Sequence, residues 1–398
     1  MGDVRRVIKT DRRGTWFLVL GVMLGALAAT AMAAEPLKVG LVAALSGQSA
    51  KSGEGITRGL TIAIDEINKR GGVLGGRMLE LIRRDDESNP SKGQVAALEL
   101  IHKEKVAVLF GGIDSPVSLA IVPIANKEKI PFMGVWAAAT TITRNGANPN
   151  FVFRVSAVDV LVDKALVQYA SAKYGAKRLG LLLINNPWGE SNAQGLTAAL
   201  QESQLSPAGL EKFEPNDVDM VPQLSRLKAA HADSIILVAT VAPGAQVVKA
   251  LARMGWQVPV ISHWGISGGR FPELAGPGAQ HVAFVQTYSF FGPQSVVGQR
   301  VLTALQAKYP DIKGPGDVIP PVGVANAYDA MHLMALAVEK AGSTEGEQIR
   351  QGLYAIDTHP GLIKTYTKPF APDNHDALNE HDYIMVHYVG DQIEPIAK

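Results

Sequence analysis

FGGIDSPV, residues 110–117, carries an apolar strand (107–110) through two glycines into a helix and leaves Ser115 near that helix's N-terminus. Unpaired backbone N–H groups and the positive end of the helix dipole converge there, which makes a ready anion site. A cap by Asp114 or Ser115 explains one isolated turn more simply. Recurrence argues for more, because the order strand, glycine or alanine turn, helix returns at 135–143, 184–191, 238–244 and 261–269. Ligands of open α/β sheets gather at the carboxyl ends of strands, so the remaining chain reads as a scaffold for five loops.

Working outward, LKVGLVAAL (37–45) is too continuously apolar for a half-exposed strand and predicts a buried parallel one. A helix over 53–70 follows, with Ile56, Leu60, Ala63, Ile64 and Ile67 on one face and Gly71-Gly72 at its end. Alternation continues with a strand at 78–82, a helix opened by Asn89-Pro90-Ser91, the strand and helix around Ser115, and a strand at 130–135. This is a doubly wound α/β unit. NGANPN (145–150) then breaks the pattern, and the strand 151–155 is the first expected crossing between lobes. A second alternating series runs from the helix 159–174 to the strand 258–262. The strand 283–288 is expected to return to the first lobe, which adds helices at 295–309, 322–341 and 344–355, and 381–388 crosses a third time. The expected bodies are lobe 1 at 36–157 plus 289–380 and lobe 2 at 158–288 plus 381–398. Several crossings permit a bending hinge.

A chain of 398 residues exceeds one ordinary core, in keeping with two lobes. Lys and Arg number 38 against 37 Asp and Glu, without the basic stripe a nucleic acid would require. Residues 1–33 read as an export signal with cleavage after Ala33: Arg5, Arg6, Lys9, Arg12 and Arg13 precede the apolar run 16–29, and Ala31-Met32-Ala33 supplies small residues. A membrane anchor is the weaker reading, since the run falls short of the roughly 20 residues a spanning helix needs. Removing this segment, with its five basic residues and two acidic ones (Asp3, Asp11), leaves 33 basic and 35 acidic residues. No cysteine is present to form a disulfide or carry a lipid. An exported, unanchored chain suits a periplasm.

Candidate chemistry is sparse. Gly265-Ile266-Ser267-Gly268-Gly269 fits the G-x-S-x-G spacing of a hydrolase nucleophile elbow, yet two glycines and then Phe271-Pro272 stand where its helix should begin. Asp373, His375, Asp376, His381 and Asp382 form the densest metal-ligand group, but polar loop residues give the same composition, and no metal is expected. No G-x-G-x-x-G or P-loop supports a nucleotide cofactor. Trp136, Trp188 and Trp264 each sit just past a strand's carboxyl end; any one alone reads equally well as packing, but three in equivalent loops suggest the walls of a pocket.

As a set, LKVGLVAALSG (37–47), GLTIAIDEINKRGGVLGGRMLELIRRDDESNP (59–90), IPFMGVWAAATTIT (130–143), FVFRVS (151–156), WGESN (188–192) and GVANAYDAMHLMALAVEKAG (323–342) resemble the periplasmic solute-binding proteins of ABC importers related to the leucine/isoleucine/valine-binding protein. The resemblance covers 36–398. It implies a type I periplasmic binding protein fold: two Rossmann-like doubly wound lobes joined by three crossover segments, closing on a ligand that is passed to an inner-membrane ABC permease without catalysis. The expected protein is a monomer without cofactor. Carried over residue by residue, the first-lobe carboxylate contacts fall on Ser115 and on Trp136, Ala137 and Ala138. Where the family often has a threonine hydroxyl this chain has Ala138, so that donor is lost unless Thr140 or Thr141 replaces it, although backbone N–H groups can still serve. The second-lobe contacts fall on Trp188 and near Thr240. Trp264 aligns with the acidic residue that holds the ligand ammonium in amino-acid binders, and Asp114 is the one nearby residue able to compensate. The expected ligand is a small carboxylate-bearing solute, a branched-chain or related amino acid or an amine-free aliphatic or aromatic acid. The alternatives are a serine hydrolase using Ser267 and a ligand-sensing module.

Overall fold

Two sheets with the same internal strand order organise the protein, in a computed structural model that describes residues 1–2 and 34–397. The expected export signal therefore lies outside the described residues, apart from its first two. No described helix is long and apolar enough to cross a membrane.

The first sheet joins β1 (Leu37–Ala43), β2 (Leu79–Asp85), β3 (Val108–Gly111), β4 (Phe132–Gly134) and β5 (Val152–Arg154) in the order β2-β1-β3-β4-β5, all parallel. Helices Pro90–His102 and Ser115–Glu128 cover one face; Ala50–Lys69 and Pro321–Ala341 pair on the other. Both faces are thus covered, as the unbroken apolar run of β1 demands. Where the last two helices cross, a Cβ on Gly59 would lie 2.3 Å from the carbonyl oxygen of Val324, so only glycine permits that approach.

The second sheet repeats the plan. β6 (Leu179–Ile184), β7 (Gly209–Phe213), β8 (Ser234–Val238), β9 (Val260–Ser262) and β10 (Val282–Gln286) run parallel in the order β7-β6-β8-β9-β10; β11 (Thr358–Pro360) and β12 (Thr365–Thr367) form a small sheet of their own, and β13 (Ile384–Val389) and β14 (Gln392–Pro395) extend the second sheet antiparallel. Helices Asp159–Tyr174 and Pro187–Glu202 pack together in this lobe.

The expected crossings need adjustment. The strand at 283–288 does not return to the first lobe: β10 lies inside the second sheet between β9 and β13, and the chain leaves only at Thr287, whose Oγ1 donates to Oδ1 of Asn326 in Pro321–Ala341 (2.8 Å). Likewise β5 is the edge of the first sheet and β13 belongs to the second, so the passages between lobes are the short segments after β5, after β10 and before β13. Two of them touch, Val158 N–H donating to Tyr383 Oη (3.2 Å). The helices expected after 135 and 261 shrink to the 3-10 turns Thr140–Ile142 and Trp264–Ser267.

Candidate functional site

In an open sheet of this strand order the crevice falls where the order reverses, between the first strand of the unit and its third. In the first lobe that point lies between β1 and β3, in the second between β6 and β8. The loops leaving these four strands meet around one cavity of about 550 Å³.

Four helices start there. Asn186 caps Pro187–Glu202, its side-chain oxygen accepting from the N–H groups of Trp188 (2.9 Å) and Gly189 (3.0 Å). Ala50–Lys69 begins through the 3-10 turn Gly47–Ser49, where Gly47 O accepts from Ala50 N–H. The helices Ser115–Glu128 and Val241–Arg253, one from each lobe, have no side-chain cap. Their first intrahelical bonds run from Ser118 N–H to Asp114 O and from Gly244 N–H to Thr240 O, so the N–H groups of Ser115, Val117, Val241 and Ala242 precede them. Asp114 occupies the cap position with extended backbone (φ −93°, ψ 129°) but does not cap, contrary to the simpler reading of the sequence. Its Oδ2 is shielded from water without a hydrogen-bond partner. Ser115 Oγ accepts from Ala139 N–H (3.2 Å), which leaves its own hydrogen available to an acceptor in the cavity.

The apolar wall is aromatic. Trp136 of the first lobe meets Trp264 of the second, ring centroids 5.7 Å apart at 43°. Trp188 stands edge-on to His263 at 5.1 Å and 81°. Gly265 is required here, since a Cβ on it would lie 2.6 Å from Cη2 of Trp188.

Among the described residues no lysine, arginine or histidine lines the cavity; Glu87 and Asp114 do. Burial pushes the Asp114 carboxyl up from its ordinary range, with the Ser88 hydroxyl pulling the other way. Behind it Asp86 is wholly buried, and burial, helped by the charges of Asp114 and Asp85, pushes its carboxyl up to about 7 against the Ser88 N–H. An anion in this cavity is therefore met by hydroxyls and helix N-termini rather than by a cation.

Asp114, Ser115, Trp136, Ala138, Trp188, Thr240 and Trp264 all line the cavity. Ala137 and Thr140 do not. Ala137 turns into the core cluster with Phe132 and Val152, its N–H donating to Gly112 O (3.0 Å). Thr140 is spent between the lobes, its Oγ1 accepting from Val160 N–H (3.2 Å) and its N–H donating to Ser191 Oγ (3.1 Å). Thr141 is exposed and outside the cavity, so neither threonine restores the hydroxyl missing at Ala138. Unforeseen in the wall are Ser46, Ser52, Ser88, Asn186 and Asn216. Their one signal was position, as polar residues soon after strands β1, β2, β6 and β7.

Ser267 is buried, and its Oγ donates to Trp264 O (2.6 Å). The neighbouring His263 has both ring nitrogens engaged, by Trp264 N–H and by Asp159. In the acidic and histidine-rich loop, His375 stacks on Phe153 and Asp376 pairs with Arg154 (2.8 Å), while Asp382 pairs with Lys364. Among the described residues no three metal-ligating side chains gather.

A family model described as periplasmic binding protein matches residues 36–392. Leu/Ile/Val-binding protein homolog 3 of Brucella melitensis is 22% identical over 309 residues, covering 78% of this chain and 80% of that one. Among solved structures, the branched-chain amino acid transporter substrate-binding protein of Streptococcus pneumoniae in complex with isoleucine superposes with a TM-score of 0.77 at 24% identity, covering 90% of this chain and 98% of that one. A solute-binding protein of an ABC transporter from R. palustris in complex with 4-hydroxybenzoate also gives 0.77, at 21% identity, covering 91% and 96%.

Proposed function

The chain belongs to the periplasmic binding protein family, and on that premise we propose that it captures a small carboxylate-bearing solute in the periplasm and hands it to an ABC permease of the inner membrane. It works as a monomer, with 36–157 plus 289–380 and 158–288 plus 381–398 as the bodies that move. The observation that carries this reading is the pair of uncapped helix N-termini, at Ser115 and Val241, that reach one cavity from opposite lobes. A carboxylate there engages both lobes, and a ligand that contacts both favours the closed form by those differential contacts.

The body of the ligand is apolar, and we favour an aliphatic or aromatic acid without an obligatory ammonium. An ammonium taken from water needs a carboxylate partner, since an unpaired buried ion costs several kcal/mol. At position 264 the chain offers an indole packed on Trp136, and a cation over an indole gains only about 0.5–2 kcal/mol. The neighbour that holds 4-hydroxybenzoate accords with such a ligand, the one that holds isoleucine with an amino acid. One observation favours the amino acid: the shielded, unpartnered Oδ2 of Asp114 beside Ser115 suits an ammonium next to a carboxylate.

Calorimetry on ligand-stripped protein separates the two. The pairs are leucine with 4-methylpentanoate and phenylalanine with 3-phenylpropanoate, titrated into wild type and Asp114→Asn. The expected result is that the des-amino acids bind at least as tightly as their amino acids and keep their affinity in the variant. Tighter amino acids, lost in Asp114→Asn, would return the protein to the amino-acid binders.

A further inference from the structure

Asp159 is the residue through which the chain enters the second lobe, and it holds three parts of the cavity wall together while lining none of it. It is 0% exposed. Its N–H donates to the carbonyl of Ala138, in the first-lobe loop that follows Trp136 (2.8 Å). Its Oδ1 accepts from the indole Nε1 of Trp188 (3.2 Å) and lies 3.0 Å from Nε2 of His263. The histidine's hydrogen can be placed from its other contact. Trp264 N–H donates to His263 Nδ1 (2.8 Å), so Nδ1 is the acceptor and Nε2 carries the hydrogen that goes to Asp159. One carboxyl oxygen thus takes both donors, and Oδ2 has no partner.

These contacts fix ring orientation. Without the bond at Nε1, Trp188 keeps its edge contact with His263 and its seat against Gly265, neither of which fixes the ring by a hydrogen bond. Without the bond at Nε2, His263 loses the partner that fixes its ring, and with that the side-chain acceptor for the backbone N–H of Trp264 is less firmly held. Trp264 in turn faces Trp136 across the cleft. Binding groups hold their geometry when hydrogen bonds behind them lock their rotamers, and affinity gained by preorganisation is lost when they are free to move.

We infer that Asp159 is the positioning residue of the aromatic wall, and that by fixing Trp188 directly and Trp264 through His263 it sets the discrimination between ring-bearing and branched aliphatic carboxylates. The inference rests on the proposed ligand class. A flat ring touches the indoles over its whole face and suffers when they turn. A branched aliphatic body is less directional and tolerates the change, while the carboxylate end, held at Ser115, is untouched.

The test has two arms, using the full mature chain with Asp159→Ala and Asp159→Asn. The first needs no ligand. In proton–nitrogen spectra of the free protein, with Trp188→Phe identifying the resonance, the Trp188 indole N–H is expected to be slow to exchange in wild type and Asp159→Asn, whose remaining oxygen still accepts, and fast in Asp159→Ala. Unchanged exchange in Asp159→Ala overturns the inference. The second arm is calorimetry with 3-phenylpropanoate and 4-methylpentanoate. Asp159→Ala is expected to weaken 3-phenylpropanoate tenfold or more and 4-methylpentanoate less than threefold, with Asp159→Asn within threefold of wild type for both. Equal weakening of the two acids contradicts it. Should Asp159→Ala not fold, His263→Phe, which cuts the link to Trp264 and keeps a ring, is expected to shift the ratio in the same direction, and an unchanged ratio counts against the inference. If neither acid binds wild type, the ligand class fails while the exchange arm still decides the role of Asp159.

Discussion

Asp86 shows what a single buried acid costs this fold. Its Oδ1 accepts from Ser88 N–H (2.8 Å), its Oδ2 has no partner, and burial pushes the carboxyl up to about 7 from 3.8. Between those values the native state keeps a proton that the unfolded chain has released, so stability falls as pH rises from about 4 to about 7 and levels off above. At roughly 1.4 kcal/mol per pH unit, the penalty at pH 8 is on the order of 4 kcal/mol at most. Asp86→Asn keeps the acceptor for Ser88 and removes the charge. Thermal melts are expected to coincide with wild type near pH 4 and to lie above it at pH 8; a gap that does not widen with pH would show that Asp86 holds no proton. Residue by residue, the sequence showed which types stand near the site but not where their side chains point. Asp114 reads as a cap because it precedes Ser115, yet the cap position leaves its carboxyl facing the cavity. Ala137 stands between two wall residues and Thr140 two places beyond them, yet both turn away, because a loop has no period from which direction can be read.

Among the elements, the start of Pro187–Glu202 has no room for a side chain at Gly189. A Cβ on Gly189 would lie 1.6 Å from the carbonyl oxygen of Ile184, so the helix begins hard against the end of β6. Gly189→Ala must displace the first turn, and Trp188 with it. The expected outcome is a loss of about 1–3 kcal/mol in urea unfolding together with at least tenfold weaker binding of whichever acid binds wild type. Unfolding and affinity both near wild type would mean that Trp188 is not placed by this turn. The long elements were legible: the apolar run of β1, the helix Asp159–Tyr174 and the strand β8 stand close to where their patterns put them. Three-residue strands such as β4 and β9 are too short to show a period, and 3-10 turns leave no stripe. Sheet membership was harder still. An apolar strand such as β10 looks the same whichever lobe it pairs in, and its pairing with β9 on one side (Phe284 to Ser262) and β13 on the other (Phe284 to Val386) decides it.

At the scale of the whole molecule, two copies of one strand order face each other with their crevices aligned, so the cavity needs both lobes to exist. The lobes touch through Trp136 and Trp264 and through Thr140 and Ser191, while the passages between them are short and cross-linked by Val158 and Tyr383. Short passages favour bending over drift, and on the proposed function a ligand that joins Ser115 to Val241 biases that bend toward closure. The most direct measurement is small-angle scattering of ligand-stripped protein lacking residues 1–33, with and without an acid whose saturation has been established by calorimetry. The radius of gyration is predicted to fall on saturation, and to stay unchanged with the same acid in Ser115→Ala at concentrations where that variant remains unbound. An unchanged radius in wild type at full occupancy would contradict capture between closing lobes.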